Sequence, residues 1–155
     1  MKKSEIGLLI GVLALDMATK FGVQSSLALG ESIPVIPGFF SITYAQNTGA
    51  AWSIMEGRTV FFCVVSVVAL IGFSIFLARA DKKDTLSRYA TVLILAGAAG
   101  NLIDRLMFQY VRDFLDFCLF GYDFPIFNVA DSALVIGVGL LILATCLHPE
   151  GRKTA

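Results

Sequence analysis

The sequence is poor in charge and in the residue types that most enzyme sites use. Only 15% of its 155 residues are charged, and it holds one histidine, one tryptophan and three cysteines. A soluble domain has about 25% charged residues. With 57% hydrophobic residues and a mean hydropathy of +0.79, the composition indicates a membrane protein. The length allows a single domain, residues 1–155.

These scarcities exclude several kinds of active site. A Ser–His or Cys–His site needs a histidine, and the only one, His148, follows the last apolar run. The chain has no H-E-x-x-H motif for zinc. A Ser–Lys pair would have to use Lys20, and no spacing favours it. The net charge is zero, so the chain lacks the overall basic character of a nucleic-acid-binding protein. We therefore expect no metal, no cofactor and no nucleic-acid partner. The three cysteines, Cys63, Cys118 and Cys146, have neither the spacing of a metal site nor that of a disulfide framework.

Four apolar runs are long enough to cross a bilayer, which takes about 20 residues of helix. A secretory signal peptide is the alternative for the first run. However, Asp16 and Lys20 follow its apolar core and further apolar runs come later, which favours a retained span. We predict four transmembrane helices at about residues 6–27, 59–78, 89–108 and 129–147.

Two segments between the predicted spans differ from the rest of the chain in amino-acid composition. Residues 30–58 combine proline and glycine with β-formers such as Phe39 and Tyr44, and residues 109–127 are a mixed, aromatic-rich loop. The first pattern predicts short strands and turns outside the bilayer core, and the second predicts a loop between spans. The predicted fold class is therefore an all-α membrane protein, with four transmembrane helices and a small extracytoplasmic β subdomain.

The distribution of positive charge predicts the orientation of the chain. Eight of the 12 lysines and arginines lie in the two tails or in the 79–88 loop. The positive-inside rule then places both termini and that loop in the cytoplasm. Segments 30–58 and 109–127 would lie on the outer side.

Polar residues within the spans fall at one predicted depth. Charged residues there cost about 2.5–3.5 kcal/mol each on insertion and usually mark function. All of them lie in the outer part of a span, and the inner halves are predicted to be free of charge. Their spacing of three or four residues puts each set on one helix face. Three spans can thus turn a polar stripe to one centre, although an ion pair or a membrane interface is the plainer explanation for some members. The residues are Asp16, Lys20, Asn101, Asp104, Arg105, Asn128 and Asp131.

Elimination leaves carboxylate chemistry. Two aspartates that share a site cannot both ionise easily, because like charge and desolvation raise one pKa. One then takes a proton from water while the other, protonated, polarises a carbonyl, as in aspartic peptidases. Composition does not choose between the candidates for these two places, which are Asp104, Asp113, Asp116, Asp123 and Asp131.

Five motifs follow one another along the chain: DMATK at 16–20, QNTGAAWS at 46–53, GNLIDR at 100–105, VRDF at 111–114 and FNVADSAL at 127–134. Together with the four predicted spans they cover nearly the whole chain. With four spans they make the sequence resemble the lipoprotein signal peptidase family, the bacterial signal peptidase II. The chain departs from the family pattern at Met17, where glutamine is common.

The resemblance implies that Asp113 and Asp131 are the catalytic dyad, with Asp116 and Asp123 as spare loop carboxylates. It also implies Asp104 as a bracing residue rather than a third acid. Further residues would bind substrate or brace the site: Asp16, Lys20, Asn47, Gly49, Ala50, Asn101, Arg105 and Asn128.

The implied reaction removes the signal peptide of a prolipoprotein, with cleavage before a cysteine that carries diacylglycerol. The expected partners are that substrate and membrane lipid, and the expected protein is a monomer in the bacterial inner membrane with its site at the outer face. Two other classes stay open. An ion- or proton-translocating protein would carry charges through the inner halves of its spans, and an assembly factor would tolerate Asp113→Asn.

Overall fold

The computed structural model describes residues 1–49 and 55–147. All four helices are long and apolar enough to cross a membrane. The predicted fold class, four such helices with a small sheet, is confirmed. Ala50, Trp52 and His148 lie outside the described residues. The helices are α1 (Lys3–Ser26), α2 (Thr59–Arg79), α3 (Thr85–Phe108) and α4 (Val129–Leu147). The strands are β1 (Ser32–Ile36), β2 (Phe40–Asn47), β3 (Val111–Leu119) and β4 (Tyr122–Asp123).

Helix α3 lies at the centre of the bundle, and the other three helices pack against it. Glycines permit this close packing. A Cβ added at Gly100 would lie 2.6 Å from the Asp16 carboxylate on α1 and 3.1 Å from the Cβ of Ala130 on α4. A Cβ at Gly137 would lie 2.8 Å from the carbonyl oxygen of Ala90. These approaches hold the polar faces of α1, α3 and α4 together.

The four strands form one antiparallel sheet in the order β1-β2-β3-β4. Helix α3 ends at Phe108 and is capped by Gln109, which adopts the left-handed conformation (φ 68°), and β3 begins two residues after this cap. The register pairs Asn47 with Val111 and Ala45 with Asp113. The C-terminal end of β2 and the start of β3 are therefore held beside the last turn of α3. We call this the sheet end of the bundle, and the other end, with the 80–84 connection, the loop end.

At the loop end, a buried charged pair lies just outside the predicted spans. Helices α1 and α3 begin before the predicted spans and include Glu5 and Arg88, which are 0% and 5% exposed. Arg88 donates to both Glu5 carboxylate oxygens, at 2.7 and 3.0 Å, and to the carbonyl oxygens of Leu77 and Ala80, both at 3.0 Å. Because each charge offsets the other, the helices extend past the residues at which the apolar runs end.

Candidate active site

Asp113 is buried on β3, where it is 2% exposed. Its two oxygens accept hydrogen bonds from side-chain amides: Asn47 donates at 3.0 Å and Asn128 at 2.6 Å. The position of Asn47 follows from the strand register, and its own amide oxygen accepts from the backbone of Gly49 at 2.9 Å. That turn directs the NH₂ group of Asn47 towards Asp113.

Asp131 lies in the first turn of α4 and is half-buried. It accepts from the Asn101 side chain at 2.6 Å and from the backbone N–H of Asn128 at 3.2 Å. In return, the backbone N–H of Asp131 donates to the Asn128 amide oxygen at 2.9 Å. Because the Asn128 side chain also donates to Asp113, this single residue bridges the two carboxylates.

Lys20 fixes which way Asn101 points. Its ammonium, which is fully buried, donates to the amide oxygen of Asn101 at 3.0 Å. An ammonium has donors only, so the oxygen of Asn101 must face it and the NH₂ group turns to Asp131. Lys20 also lies 2.8 Å from Asp16 and 3.4 Å from Asp104.

Asp16 joins α1 to the start of α4. Its other oxygen accepts the backbone N–H of Ala130 at 2.9 Å, one of the helix N-terminal donors that have no partner within the helix. A carboxylate is also favourable at this positive end of the helix dipole. Asp16 therefore braces the helix turn that carries Asp131.

Sequence reasoning missed Arg112 as a site residue. Its guanidinium donates to both oxygens of Asp104, at 2.6 and 3.2 Å, and to Gln24 at 2.9 Å, and it lies 4.5 Å from the ring centroid of Phe108. The signal was present in the VRDF motif: successive strand residues face opposite sides, so a residue beside Asp113 holds the strand from its other face.

Arg105 ties α3 to the turn after β2. It donates to the carbonyl oxygen of Gly49 at 3.1 Å, and its guanidinium lies 5.1 Å from the ring centroid of Phe62 on α2. Asp104 and Arg105 thus have separate partners, Arg112 and Gly49, rather than marking a bare interface.

The carboxylates of this region fall into two groups, those with a cationic partner and those without one. Asp16 and Asp104 lie within 4 Å of a lysine or arginine. Asp113 and Asp131 have no such ion pair within residues 1–49 and 55–147, and amide groups are the donors to both. Burial, and then the charge of Asp131, raises the pKa of Asp113 from an ordinary 3.8 to about 7, against the hydrogen bonds from Asn47 and Asn128.

The two spare carboxylates lie elsewhere on the sheet. Asp116 is three residues beyond Asp113, on the other face of β3, and accepts from Thr43 at 2.6 Å. Asp123 is exposed on the short edge strand β4. Within the described part of the chain, no group of three or more His, Cys, Asp and Glu side chains is placed to hold a metal ion.

The family model for signal peptidase II matches residues 8–147. The chain belongs to this family. Members of the family are proteases, and this chain has four helices able to span a membrane. It is 41% identical over 142 residues to the lipoprotein signal peptidases of Staphylococcus aureus strains JH9 and Newman, covering 92% of this chain and 87% of each relative.

Two solved structures of bacterial membrane enzymes, both obtained by the in meso method, share the fold. One has a TM-score of 0.90 at 39% identity, over 98% of this chain and 93% of the other. The second has a TM-score of 0.84 at 39% identity, over 97% and 94%. The matched region of the family model contains the whole sheet-end network, whereas Glu5 precedes it.

Proposed function

We propose that this family member is an aspartic endopeptidase that removes the signal peptide from prolipoproteins, cutting before a cysteine that carries diacylglycerol. The observation that carries the proposal is the pairing of Asp113 with Asp131. Asn128 bridges these two carboxylates, and among the described residues no lysine or arginine nitrogen lies within 4 Å of either of them. The name of the Staphylococcus aureus relatives supports the lipoprotein substrate.

The two carboxylates differ in a way that suits their two roles. Asp113 is buried and has its pKa raised to about 7, so about half of it is protonated at pH 7 and can donate that proton to the scissile carbonyl oxygen. Asp131 is half-buried and accepts two N–H hydrogen bonds, and we assign it the role of the base. As the ionised base it takes a proton from water, and the resulting hydroxide attacks the carbonyl carbon. That proton then passes to the leaving nitrogen as the peptide bond breaks, and one hydroxyl of the tetrahedral intermediate returns a proton to Asp113.

The surrounding network keeps these roles separate. The Asn101 and Asn128 side chains are held by partners of their own, Lys20 and the backbone of Asp131. Their N–H groups therefore stay directed at the carboxylates through the reaction. Such fixed donors cost no reorganisation when charge moves in the transition state.

The positive charge of the tails and the 79–88 loop supports an orientation with both termini in the cytoplasm. The sheet end and the dyad would then lie at the outer face of the bacterial inner membrane. Asp131, in the first turn of α4, would stand at the bilayer boundary, where the lipid-bearing cysteine of the substrate lies. A monomer holds every residue of the described network.

Ion or proton translocation is less well supported. The two buried charge clusters lie at opposite ends of α3, and residues 89–100 between them carry no charge, as do residues 132–147 of α4. Arg88 is fully engaged by Glu5 and two carbonyl groups. A chain of titratable groups across the bundle is therefore missing from these two helices.

The proposal is tested with purified full-length protein and a prolipoprotein whose cysteine carries diacylglycerol. We expect mass spectrometry to find a product that begins at the modified cysteine. Asp131→Asn should lower the turnover number by about 10²–10⁴-fold, since it removes the base. The neighbouring Ser132→Ala, whose hydroxyl donates to the backbone carbonyl of Asn128 and to neither carboxylate, is the control and should stay near wild type. Cleavage at another bond, or an active Asp131→Asn, would reject the proposal.

A further inference from the structure

The helix bundle contains an apolar groove in addition to the candidate active site. Helices α2 and α4 both pack on α3, and an apolar groove of about 340 Å³ lies between them, nearer to the loop end. Phe73 lines it from α2 and Ile94 from α3, while Val138, Ile142 and Cys146 are among its residues on α4. The one hydroxyl in it, that of Thr145, already donates to the Leu141 carbonyl at 2.9 Å. The groove is therefore suited to an apolar occupant.

The groove continues the helix faces that form the site. On α4, Val138, Ile142 and Thr145 follow Asp131 by seven, eleven and fourteen residues, which places all four on one side of the helix. The same holds on α3, where Ile94 precedes Asn101 by seven residues.

On α2, the groove residue Phe73 also lies on the same helix face as a residue near the site. It follows Phe62, whose ring lies against the Arg105 guanidinium, by eleven residues. A chain that leaves the dyad towards the loop end along these faces thus runs directly into the groove.

We propose that this groove holds the apolar helical segment of the signal peptide while the dyad acts on the bond that follows it. The inference rests on the proposed function. The segment removed from a prolipoprotein precedes the scissile bond, so in the proposed orientation it crosses the membrane from the dyad towards the loop end. Apolar signal-peptide cores are about 7–15 residues long, or about 10–22 Å as a helix. The distance from Asp131 to Cys146 along α4, fifteen residues or about 22 Å, matches the upper value.

An amphipathic or apolar helix binds such a groove through side chains spaced three and four residues apart. The groove then contributes to substrate affinity and to the position of the scissile bond, but not to the chemistry. A lipid acyl chain is the competing occupant, because it is apolar and has a similar length.

The test compares two substrates that both carry the diacylglyceryl cysteine, only one of which retains the apolar segment. Ile142→Trp would fill the groove, and Leu143→Trp is its control at the same depth on another face of α4, outside the groove lining. We expect Ile142→Trp to raise KM for the full substrate by about tenfold or more and to leave KM for the short one unchanged. Leu143→Trp should change neither.

Equal effects of Ile142→Trp on both substrates would assign the groove to an acyl chain and overturn the inference. So would equal behaviour of Ile142→Trp and Leu143→Trp. In both cases the wild-type protein still cleaves, so the proposed function survives. Failure of the wild type to cleave either substrate would reject the proposed function itself.

Cross-linking gives a second measurement that does not depend on the folding of a tryptophan variant. In an Asp131→Asn protein with Cys63→Ser and Cys118→Ser, the native Cys146 is the only remaining thiol. With an added oxidant, we expect its thiol to form a disulfide with a cysteine placed in the substrate about fifteen residues before the scissile bond. A Cys146→Ser, Leu143→Cys version should not. Equal cross-linking by the two versions would contradict the inference.

Discussion

The two ends of the bundle bury charge in opposite ways. At the loop end one anion, Glu5, meets one cation, Arg88, through two hydrogen bonds, and the remaining guanidinium donor satisfies carbonyls at the end of α2. At the sheet end, Asp16 and Asp104 have cationic partners, whereas Asp113 and Asp131 have only amides. Matched charge holds helices together. Unmatched charge leaves a carboxyl whose protonation can change, which acid–base catalysis requires.

The largest effect on stability is expected at the loop end of the bundle, and only a small one at the sheet end. Glu5→Gln leaves the Arg88 guanidinium buried without its anion and should lower the free energy of unfolding by about 3–5 kcal/mol. Asp113→Asn disturbs only bonds to neutral amides and should cost about 1 kcal/mol. Thermal unfolding in detergent measures both, with exposed Glu56→Gln as the control. Equal losses at Glu5 and Asp113 would contradict the distinction between matched and unmatched charge.

Removal of the bridge should impair the sheet end without unfolding it. Asn128→Ala leaves one oxygen of Asp113 without its donor and the backbone N–H of Asp131 without its acceptor. Because small displacements of reacting groups are costly, we expect kcat to fall by about 10²-fold with little change in KM. Steady-state kinetics test this, with Gln46→Ala as a control at an exposed residue of β2 whose amide donates to the Tyr44 hydroxyl. A rise in KM at unchanged kcat would make Asn128 a substrate-binding residue instead.

The smallest expected effect is a dependence on pH. The folded chain holds the Asp113 proton up to about pH 7, whereas an unfolded chain releases it near the ordinary value of 3.8. This contribution to stability is therefore full at low pH and is lost as pH rises to about 7. Above that pH the rate should fall by up to about tenfold per unit, because Asp113 no longer carries the proton it donates.

Unfolding curves and rates between about pH 5 and 9 measure both parts of this prediction. Other groups also titrate, so the relevant quantity is the difference between the wild type and Asp113→Asn. If the stability of the two proteins has the same pH dependence, the raised pKa of Asp113 is wrong.

The sequence predicted the four helices well because uncharged apolar runs of about 20 residues rarely occur in proteins except as membrane-spanning helices. The spacing of Asp16 and Lys20 predicted that both lie on one face of α1, where they form an ion pair at 2.8 Å. The role of Asn101 was less accessible, since Lys20 acts on it from 81 positions away in the chain. No local pattern encodes such a contact, and the choice of Asp113 over Asp116 needed the resemblance to a family.

The predicted spans stop short of Glu5 and Arg88 for a physical reason. An apolar run is taken to stop at its first charged residue because an isolated charge in a membrane is costly. Glu5 and Arg88 are not isolated, because each is the partner of the other from different helices. Arg112 was missed for a related reason: its partner, Asp104, belongs to the preceding helix, and the link between them appears only when α3 turns into β3.

The central claim is that catalysis depends on the aspartates without cationic partners. The most direct measurement compares the turnover of Asp113→Asn with that of Asp116→Asn, two identical changes on one strand. Asp116 bonds to Thr43 and lies outside the site network. We predict a loss of about 10²–10⁴-fold for Asp113→Asn and nearly normal turnover for Asp116→Asn, with both proteins folded. Near-normal activity in Asp113→Asn, or equal losses in the two variants, would contradict the account.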